Sequence, residues 1–406
     1  MTEKRHISDV AIVGGGMAGL TTAIGLAMVG MTVTVVDMAD ADITTDPGFD
    51  GRACALSYST CKLFEALDIW PYMDDFAQPI LEVRVTDGPS LLHTHLDHRE
   101  LGEGPLGHML ENRHTRLALY KRLAEMDGIT LIAPDKVKTI ERNAREIRLK
   151  TDGGHTITSS LLLGIDGRGS QVRNWAEIKC TKWGYGQDGI VCAIEHELSH
   201  GGVAHERFLP SGPFAILPLT GNRSSIVWTE KDHLTKTIMG LPDRSFEAEV
   251  ARRVGDFLGE VKVVGGRWAF PLTLQFAEQF TADRLALVGD AAHGMHPIAG
   301  QGLNLALRGV AALLEVLTDA FRSGQDLGSV TTLRQYEQWR TSDTATLLSV
   351  TDVLNRLFSN NITPIRVARD LGLAAVNEMP AVKNLLMSHA RGTVGDLPKL
   401  LRGERL

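Results

Sequence analysis

The beginning of the chain restricts its fold more than any other segment. Residues 9–13 predict a short apolar strand, residues 14–19 read GGGMAG, and an apolar pattern at helical spacing runs on to Val29. A second predicted strand, residues 31–36, ends in Asp37, about 20 residues beyond the glycines. This order of elements predicts a parallel βαβ unit that binds a dinucleotide.

Each glycine of this turn meets a different steric demand. Gly14 permits the tight turn, Gly16 lets the backbone approach a pyrophosphate, and Gly19 allows helix and strand to pack closely. Asp37 would accept hydrogen bonds from a ribose. The alternative is a glycine-rich turn without a ligand. The fingerprint occurs once in the sequence, so a second redox nucleotide would bind transiently, without a domain of its own.

The composition limits the classes of protein to which the chain can belong. Its 406 residues suggest two or three domains, and 43% hydrophobic with 22% charged residues is typical of a soluble globular protein. A net charge of −7 argues against a nucleic-acid partner. The four cysteines form no CxxC pair, which argues against a disulfide reductase. Without a signal-peptide core or an apolar run of about 18 residues, we expect a cytoplasmic protein with no membrane span.

A second informative segment, residues 284–308, reads RLALVGDAAHGMHPIAGQGLNLALR. It predicts a buried parallel strand that stops at Gly289 and Asp290, a loop that contains Pro297, and then a helix. Asp290 could accept hydrogen bonds from sugar-alcohol hydroxyls. Free N–H groups at residues 300–303, with the helix dipole behind them, suit a group that becomes negative. The alternative is an ordinary strand, turn and helix whose glycines only break the chain.

A third segment, residues 161–173, repeats this arrangement. Residues 161–165 predict a buried strand, Asp166 and Gly167 end it, and Ser170 and Arg173 open a helix. By itself this pattern is equally consistent with a turn followed by an N-cap.

Together, residues 14–19, residues 166–173 and the Gly289–Asp290 pair resemble the single-component flavin-dependent aromatic hydroxylases of the para-hydroxybenzoate hydroxylase fold. Within that group the chain is most similar to the hydroxylases of ubiquinone biosynthesis, which act on polyprenylated phenols. The narrower resemblance rests on HPIAGQGLN at 296–304, DGR at 50–52, ALS at 55–57, RFLP at 207–210, LPL at 217–219 and GDLP at 395–398. Two positions depart from the signature, with Ala306 where a glycine is common and Gly309 where an aspartate is common.

The resemblance implies FAD as cofactor and a role for each motif residue. The adenosine end would lie at the glycine turn and Asp37, the ribityl chain at Asp290, and the flavin pyrimidine edge at backbone groups of residues 300–304. Asp166 and Arg173 would serve the pyrophosphate and the nicotinamide nucleotide. The full cofactor-binding set is Gly14, Gly16, Gly19, Asp37, Arg52, Arg113, Asp166, Arg173, Gly289, Asp290, Pro297, Gly300, Gln301, Gly302, Leu303 and Asn304.

The implied reaction uses NADH or NADPH to reduce FAD, after which O₂ adds to give a flavin hydroperoxide. One oxygen atom is then transferred to the ring of a polyprenylated phenol. The backbone of Gly300, Gln301 and Gly302 would lie nearest the chemistry, and the sequence identifies no general base. Two alternatives are a hydroxylase of a small soluble phenol and a flavoprotein without oxygenase activity, either a prenyl reductase or an assembly subunit.

The substrate pocket is expected in the middle of the chain. Residues 181–228 are rich in alternating segments, which predict a sheet that lies over the flavin. A reactive intermediate must be kept from water, which favours an apolar pocket. The candidates to line it are Phe208, Leu217, Pro218, Trp228 and Phe270, and core packing is the alternative for each.

Histidine pairs and clusters do not predict a metal site. His93, His95 and His98 fall in a probable strand and turn, where solvated surface histidines are the better interpretation. His293 and His296 belong to the flavin loop, and an H-x-x-H pair without a third ligand is weak evidence for zinc. We expect no metal.

The fold expected is α/β, with a Rossmann-like FAD-binding domain, a mainly antiparallel β-sheet substrate domain and C-terminal helices. The expected FAD-binding domain comprises residues 1–76, 108–180 and 277–345, the sheet domain 77–107 and 181–276, and the helical region 346–406. Apolar residues at helical spacing over 344–358, and a further helix over 381–390, predict a helical cap. The alternative for this region is a face that contacts the membrane surface or a biosynthetic complex, through which an apolar substrate enters.

Overall fold

The computed structural model describes residues 4–46, 48, 51–88, 93–102, 104–294, 301–341 and 379–406. Its strands are β1 Lys4–Val13, β2 Val33–Val36, β3 Ala53–Ser57, β4 Gln78–Ile80, β5 Glu82–Asp87, β6 His93–Asp97, β7 Gly107–Glu111, β8 Ile129–Ile132, β9 Val137–Arg142, β10 Ile147–Thr151, β11 His155–Gly164, β12 Cys180–His196, β13 Val203–Leu209, β14 Gly212–Leu219, β15 Arg223–Lys231, β16 Val261–Ala277, β17 Thr281–Ala282, β18 Leu285–Leu287 and β19 His293–Gly294.

The helices lie between these strands and after them. They are α1 Met17–Met28, α2 Ala41–Thr45, α3 Tyr58–Ala66, α4 Asn112–Ala124, α5 Gln171–Trp175, α6 Asp232–Met239, α7 Asp243–Val254, α8 Gly302–Arg322, α9 residues 330–341, and α10 Pro380–Arg391. Short 3₁₀ helices occupy Trp70–Tyr72, Asp74–Phe76, His98–Leu101, Asp256–Leu258, Gly289–Ala291 and Lys399–Arg402. No helix among the described residues is long and apolar enough to cross a membrane.

The first sheet is the predicted nucleotide-binding unit. Its strands run in the order β17-β18-β11-β1-β2-β8, with β10 beside β11 and β9 beyond it. β18, β11, β1, β2 and β8 are parallel to one another. Every residue of β2 is buried, as expected of a strand covered on both faces. β1 begins at Lys4, five residues before the predicted start at residue 9, because its more exposed half pairs with residues 155–159 of β11.

Helices α1 and α8 pack against each other on this sheet. α1 buries residues 19–26 without interruption, which is the pattern of a helix enclosed on several sides. A Cβ at Gly25 would lie 2.4 Å from Cδ1 of Leu314 on α8, so the missing side chain lets the two helices approach closely. The close packing sets where α8 begins relative to the glycine turn.

The second sheet is mainly antiparallel, as predicted. Its order is β19-β16-β12-β15-β14-β13-β5-β6, and only the β13–β5 pair is parallel. The long strands β12 and β16 pair along most of their length, with register shifts after Gly184 and after Cys192. One face carries a buried cluster in which Phe214, Ile226 and Trp228 pack against Phe246 and neighbouring residues of α7.

The opposite face of the second sheet meets a small sheet of order β3-β7-β4. A shared apolar cluster, called the inter-sheet cluster from here on, joins them. It comprises Ile80, Leu96, Leu106, Met109, Ala204, Leu219 and Met387, with Ala53, Ala55, Val83, Leu101 and Leu217 packed against it. Met387 belongs to α10, which Lys383 also fixes through an ion pair of 2.5 Å with Glu100.

The predicted fold class is confirmed, whereas the domain boundaries stay a prediction. The helix expected over 381–390 is present as α10. The helical face expected over 344–358 lies outside the described residues.

Candidate active site

The three predicted motifs meet at one edge of the first sheet. Val13 pairs with both Val36 and Gly164, and Gly164 pairs with Leu287, so the carboxyl ends of four parallel strands are level. The segments that follow these strands therefore converge. In open α/β sheets this crevice is where ligands bind.

The glycine turn has the geometry that a dinucleotide requires. Gly14 has φ +109°, and a Cβ there would lie 2.3 Å from the carbonyl oxygen of Ile165. At Gly19 a Cβ would lie 1.9 Å from the Gly14 carbonyl oxygen, so the helix and the turn touch directly. Gly16 differs, because no atom of the described residues lies within 4 Å of the position of its Cβ. Gly14 and Gly19 thus serve packing, and Gly16 leaves open space in front of the turn.

That open space lies at the N-terminus of α1. Gly16 is the N-cap, no side chain caps the helix, and its first turn carries no acidic residue. Unpaired N–H groups and the positive end of the helix dipole attract an anion such as a pyrophosphate.

Asp37 fixes the turn from the neighbouring strand. One carboxylate oxygen accepts a hydrogen bond from the Gly15 N–H, and the other accepts from the Ala39 N–H at 2.6 Å. A carboxylate has about four acceptor positions, so lone pairs remain for a sugar hydroxyl.

The Asp166 motif is held by its own turn. Asp166 accepts hydrogen bonds from the Ser170 hydroxyl at 2.5 Å and from the N–H groups of Gln171 at 2.7 Å and Val172 at 3.1 Å. Ser170 in turn caps α5. The N-cap interpretation left open by the sequence is therefore present, and a contact of Asp166 with the pyrophosphate stays a prediction.

Arg173 and Gln275 tie the second and third motifs together. Arg173 is 2% exposed, and its guanidinium donates to the carbonyls of Ala291 at 2.7 Å and Arg168 at 3.0 Å. The amide nitrogen of Gln275 donates to the carbonyls of Asp290 at 2.7 Å and Arg168 at 3.3 Å. Sequence reasoning missed Gln275, whose only signal is a polar residue near the end of an apolar strand. The sequence also predicted that Arg173 contacts the cofactor. That contact stays a prediction, alongside the hydrogen bonds that Arg173 donates within the protein.

Asp290 follows β18 at the edge where the ends of the parallel strands are level. Its side chain keeps 43% of its surface accessible, although protein lies close around the rest of it. This burial raises the pKa of Asp290, and the nearby charges of Arg168 and Arg52 oppose the rise. Arg168 lies 3.4 Å from an Asp290 oxygen through Nε and donates to the Thr273 hydroxyl at 3.1 Å. Arg168 was not among the predicted site residues.

The two other predicted arginines lie on different elements. Arg52 places its guanidinium 4.6 Å from the ring centroid of Phe270 on β16, between the first sheet and the second. Arg113 is half-buried in the first turn of α4. A hydrogen bond from His114, with Arg223 and Arg113 nearby, lowers the pKa of Glu111 to about 2.

The first turn of α8 is fixed by Asn304. Its side-chain oxygen accepts from the Ser57 N–H at 3.0 Å and the Thr60 hydroxyl at 2.9 Å. Its nitrogen donates to the Ala55 carbonyl at 2.8 Å and to the Gln301 side chain at 3.3 Å. The ALS segment at 55–57 is thereby joined to the helix start. Gln301, Gly302 and Leu303 open this helix, whereas Pro297 and Gly300 lie outside the described residues.

The two positions that depart from the signature, Ala306 and Gly309, have different surroundings. Gly289 has φ +60°, and a Cβ there would lie 3.2 Å from the Cβ of Ala306, so these two small residues pack against each other. At Gly309 a Cβ would lie no closer than 3.8 Å to any atom of the described residues. Packing therefore favours a small side chain at Ala306, and it makes no such demand at Gly309.

The second sheet turns one face towards this crevice. Arg52 lies over Phe270, and a Cβ on Gly51 would lie 1.8 Å from the Trp268 ring, so β16 borders the cofactor side. Leu217 faces the same way, in the inter-sheet cluster. Phe208 shares this face by its alternation with Ala204 on β13.

Two of the predicted pocket residues lie on the other face, which corrects their assignment. Trp228 is 1% exposed and packs in the cluster against α7, with the Arg253 guanidinium 3.8 Å from its ring centroid. Pro218 alternates with Leu217 along β14 and so lies on the side of Ile216, which belongs to that cluster. Core packing, the alternative for both, is correct because α6 and α7 cover this side of the sheet.

The histidines of β6 lie beside acidic residues. Ligand atoms of Glu82, His95 and Asp97 all lie within 4.8 Å of one another, the arrangement closest to a metal site among the described residues. Arg84 pairs with Glu82 at 2.9 Å and Arg99 with Asp97 at 2.5 Å. Both carboxylates therefore already have cationic partners. His293 is buried, and its pKa is lowered to about 3 by that burial, while His296 lies outside the described residues.

Comparisons with known proteins agree with this geometry. A family profile described as an FAD binding domain matches residues 8–349. Ubiquinone hydroxylase UbiL of Rhodospirillum rubrum is 46% identical over 400 residues, which are 98% of this chain and 93% of that protein. The chain belongs to this family of FAD-dependent hydroxylases. The resemblance inferred from the motifs is thereby confirmed.

A second relative by sequence and a solved structure with a similar fold show how far the likeness extends. The 3-demethoxyubiquinol 3-hydroxylase of Escherichia coli is 34% identical over 387 residues, 95% of this chain and 98% of that protein. The crystal structure of p-nitrophenol 4-monooxygenase PnpA from Pseudomonas putida superposes with a TM-score of 0.82, over 97% of this chain and all of that one. Its identity is 17%, so this last likeness concerns the fold.

The residues present fit the FAD of the family. The open space before Gly16 and the uncapped start of α1 suit a pyrophosphate, and Asp37 has acceptor capacity left for a ribose. Asp290 offers a partly accessible carboxylate where a sugar-alcohol chain would pass.

Proposed function

We propose that the protein hydroxylates the aromatic ring of a polyprenylated phenol in ubiquinone biosynthesis, with FAD as cofactor, O₂ as oxygen donor and NADH or NADPH as reductant. The observation that carries the proposal is the apolar face of the second sheet beside the Asp290 crevice. It occurs in a chain that is 46% identical to a ubiquinone hydroxylase. Bound FAD supplies the redox chemistry, and the residues of the chain bind, orient and exclude water.

The adenosine half of FAD is assigned to the start of the first sheet. N–H groups at the start of α1 receive the pyrophosphate in the space before Gly16, and Gly14 and Gly19 hold the turn in shape. Asp37 accepts from the ribose while it keeps its bond to Gly15. Arg52, Arg113, Asp166 and Arg173 complete the phosphate side in this assignment.

The flavin half is assigned to the third motif. Arg168 orients the Asp290 carboxylate, which in this assignment accepts hydrogen bonds from the ribityl hydroxyls. In this assignment the backbone N–H groups of residues 301–304 face the pyrimidine edge, where the dipole of the 21-residue helix α8 stabilises negative charge. Asn304 holds the start of α8 against β3 and α3, which fixes the orientation of the N–H groups in the first turn of α8.

The second sheet supplies the wall of the ring pocket. Phe208, Leu217 and Phe270 present apolar surface on the face that meets the small sheet β3-β7-β4. An apolar wall excludes water from the reacting ring and so prevents loss of the activated oxygen as peroxide.

A genetic complementation experiment tests the proposed function. The gene is expressed in an Escherichia coli strain that lacks 3-demethoxyubiquinol 3-hydroxylase and, separately, in Rhodospirillum rubrum that lacks UbiL. Mass spectrometry of the quinone pool then reports whether the accumulated precursor gains an oxygen atom. Restored ubiquinone in either host supports the proposal, and the host that responds shows which ring position is used. Unchanged precursor in both hosts, with the protein present and yellow, contradicts it.

A pair of aspartate variants connects the function to the site. Asp290→Ala should bind FAD at least tenfold more weakly and fail to complement, because the carboxylate at the crevice is lost. Asp283→Ala removes an acid seven residues earlier, in an exposed turn, and should behave as the wild type. Flavin absorbance of the purified proteins measures the retained cofactor.

A polyprenyl tail also calls for contact with the membrane surface, since each CH₂ moved into water costs about 0.8 kcal/mol. Met379, Leu385 and Leu386, in and next to α10, are 51%, 54% and 43% exposed, which supports peripheral contact through this helix. Liposome flotation of the wild type and of a Leu385→Gln, Leu386→Gln double variant tests this. Leu198→Gln, at a residue 50% exposed elsewhere, is the matched control. Flotation that is absent or equal in all three proteins contradicts membrane contact through α10.

A further inference from the structure

One carboxyl group stands in an otherwise apolar row of the second sheet. The strand registers align six residues across the sheet, one on each of β16, β12, β15, β14, β13 and β5. In that order they are Trp268, Val191, Val227, Ala215, Glu206 and Val85. Glu206 is the polar member of this row. A carboxyl group is rarely found among apolar neighbours, because its burial there costs free energy unless a partner compensates it.

Glu206 faces the cofactor side of the sheet. Its neighbour Arg207 points to the opposite side, where it donates to the carbonyls of Arg253 at 2.8 Å and Val254 at 2.9 Å at the end of α7. Ala204, two residues before Glu206 and therefore on its own side, belongs to the inter-sheet cluster. The row begins at Trp268, whose ring lies against Gly51.

A short path connects Glu206 to the flavin end of the site. Ala55 packs in the inter-sheet cluster with Ala204 and Leu217, which flank Glu206 on the same face. The Ala55 carbonyl accepts the hydrogen bond from Asn304 in the first turn of α8. β3 thus lies between the sheet face that carries Glu206 and the predicted flavin edge at the start of α8.

The Glu206 carboxyl group is enclosed but not paired. Among the described residues, it has neither a hydrogen bond nor an ion pair, although protein atoms surround it. It nevertheless keeps part of its surface accessible. Burial alone raises the pKa of Glu206 to about 7. An unpaired buried carboxyl group is costly, and a ligand that hydrogen-bonds to it removes that cost.

We propose that Glu206 binds the phenolic hydroxyl of the substrate and acts as the general base for the hydroxylation. The carboxylate oxygen accepts the hydroxyl proton, the O–H bond breaks, and its electron pair stays on the ring oxygen. The products of this step are a neutral carboxylic acid and a phenolate. A phenolate ring is richer in electrons than a phenol ring and reacts faster with an electrophilic oxygen donor. The assignment rests on the proposed function and adds a catalytic residue to it.

The acid–base properties of the site suit this transfer. A phenol such as that of tyrosine has a pKa of about 10, and an ordinary glutamate one of about 4.3, so an ordinary glutamate is a poorly matched base. A carboxyl group whose pKa is near 7 is better matched to the phenol and is still largely ionised at slightly alkaline pH. The apolar row provides this match, because nothing in it stabilises the charged form.

The charged groups on the surrounding elements are few among the described residues. Asp87 lies on the same face of β5, two residues beyond Val85. Arg223, on β15, is paired with Glu111 of the small sheet at 3.2 Å. From α10, Lys383 is paired with Glu100. Glu206 itself has no charged partner among them, so its titration is expected to follow its own burial.

The test uses the FAD-loaded protein, 2-(3-methylbut-2-enyl)phenol as the probe, and four proteins: wild type, Glu206→Gln, Glu206→Asp and Glu230→Gln. Glu230 is the matched control, a buried glutamate on the other face of the same sheet, where it accepts from the indole N–H of Trp228 at 3.3 Å. Flavin absorbance and thermal unfolding establish that each variant folds and holds cofactor. Equilibrium binding of the probe, measured from pH 5.5 to 9, reports the hydrogen bond to Glu206 independently of turnover.

Three outcomes are distinguished. If the proposal holds, probe affinity and kcat of the wild type both rise as pH increases through about 7, because the ionised Glu206 accepts the hydroxyl hydrogen bond and then the proton. Glu206→Gln then loses this pH dependence and about a hundredfold or more in kcat, Glu206→Asp recovers part of it, and Glu230→Gln keeps the wild-type profile.

A Glu206→Gln protein with wild-type kcat, pH profile and pH-dependent probe affinity overturns the role of Glu206 and leaves the proposed function intact. A wild-type protein that neither binds nor hydroxylates any prenylphenol overturns the proposed function, and the role of Glu206 with it.

Discussion

The two walls of the site are built in different ways. At the edge of the first sheet, cofactor positions come from contiguous motifs in which backbone geometry and N–H groups do most of the binding, as at Gly16. On the second sheet, the corresponding surface takes one residue from each of several strands, as in the row that contains Glu206. Short motifs specify a backbone shape, whereas a sheet face is specified by register between distant segments.

The largest effect should come from backbone crowding in the glycine turn. Gly19→Ala places a Cβ 1.9 Å from the Gly14 carbonyl oxygen, so the turn must move. We expect a loss of roughly 3–5 kcal/mol in the free energy of unfolding. Gly16→Ala meets no atom within 4 Å and should cost less than about 1 kcal/mol, yet weaken FAD binding at least tenfold. Denaturant unfolding of the apoprotein and flavin fluorescence titration separate the two effects. Equal stability losses would show that all glycines of the turn serve packing alone.

The second largest effect should appear in the pH dependence of Glu206→Gln. The folded-state pKa of Glu206, about 7, lies above the unfolded value of about 4.3, so the folded protein loses stability as pH rises through 7. Glutamine carries no charge at any pH. The variant should therefore match the wild type near pH 4, gain on it between pH 4.3 and 7, and exceed it by roughly 3–4 kcal/mol at pH 8. Unfolding free energies at four pH values measure this, and a difference that does not grow with pH contradicts the burial of the charge.

A smaller effect distinguishes the two faces of the second sheet. Trp228→Phe removes the hydrogen bond to Glu230 and part of a buried ring, so we expect a loss of about 1–2 kcal/mol in stability. The KM for a prenylphenol should stay within about twofold, because this residue faces α7. Phe208→Leu, on the cofactor side, should raise that KM while it costs about the same stability. Steady-state kinetics and unfolding curves of both variants measure these effects. A KM change confined to Trp228→Phe would show that Trp228, and not Phe208, lies on the substrate side of the sheet.

The smallest effect concerns the position where the chain leaves the family signature. Gly309 lies inside α8, and a Cβ there would meet nothing closer than 3.8 Å. Gly309→Ala should stabilise the protein by about 0.5–1 kcal/mol through helix propensity alone. The thermal unfolding midpoint measures it. A destabilised variant would mean that this turn of the helix packs more tightly against Tyr336 and Arg340.

The contrast between the walls also explains which parts could be predicted from sequence. Gly14, Asp37, Asp166 and Asp290 follow the ends of buried strands, and parallel strands bring such ends to one edge, so their convergence could be foreseen. The fold class and the mainly antiparallel second sheet followed from the same patterns of alternation and spacing.

Face and partner assignments on the second sheet could not be predicted. Leu217 and Pro218 are neighbours in sequence, but a strand turns them to opposite sides, and sequence alone does not say which side a helix covers. Gln275 and Arg168 act through partners more than a hundred residues away or across a turn, which no local pattern encodes. Glu206 was missed because a single carboxyl group in a strand resembles an ordinary solvent-facing residue until the register is known.

The chain crosses from one sheet to the other at Asp290. β18 ends at Leu287 in the first sheet, and β19 begins at His293 in the second, where it pairs with β16. Asp290 occupies the bridge, and Gln275 of β16 holds its carbonyl. The distance between the cofactor wall and the substrate wall is therefore fixed here by a few covalent bonds.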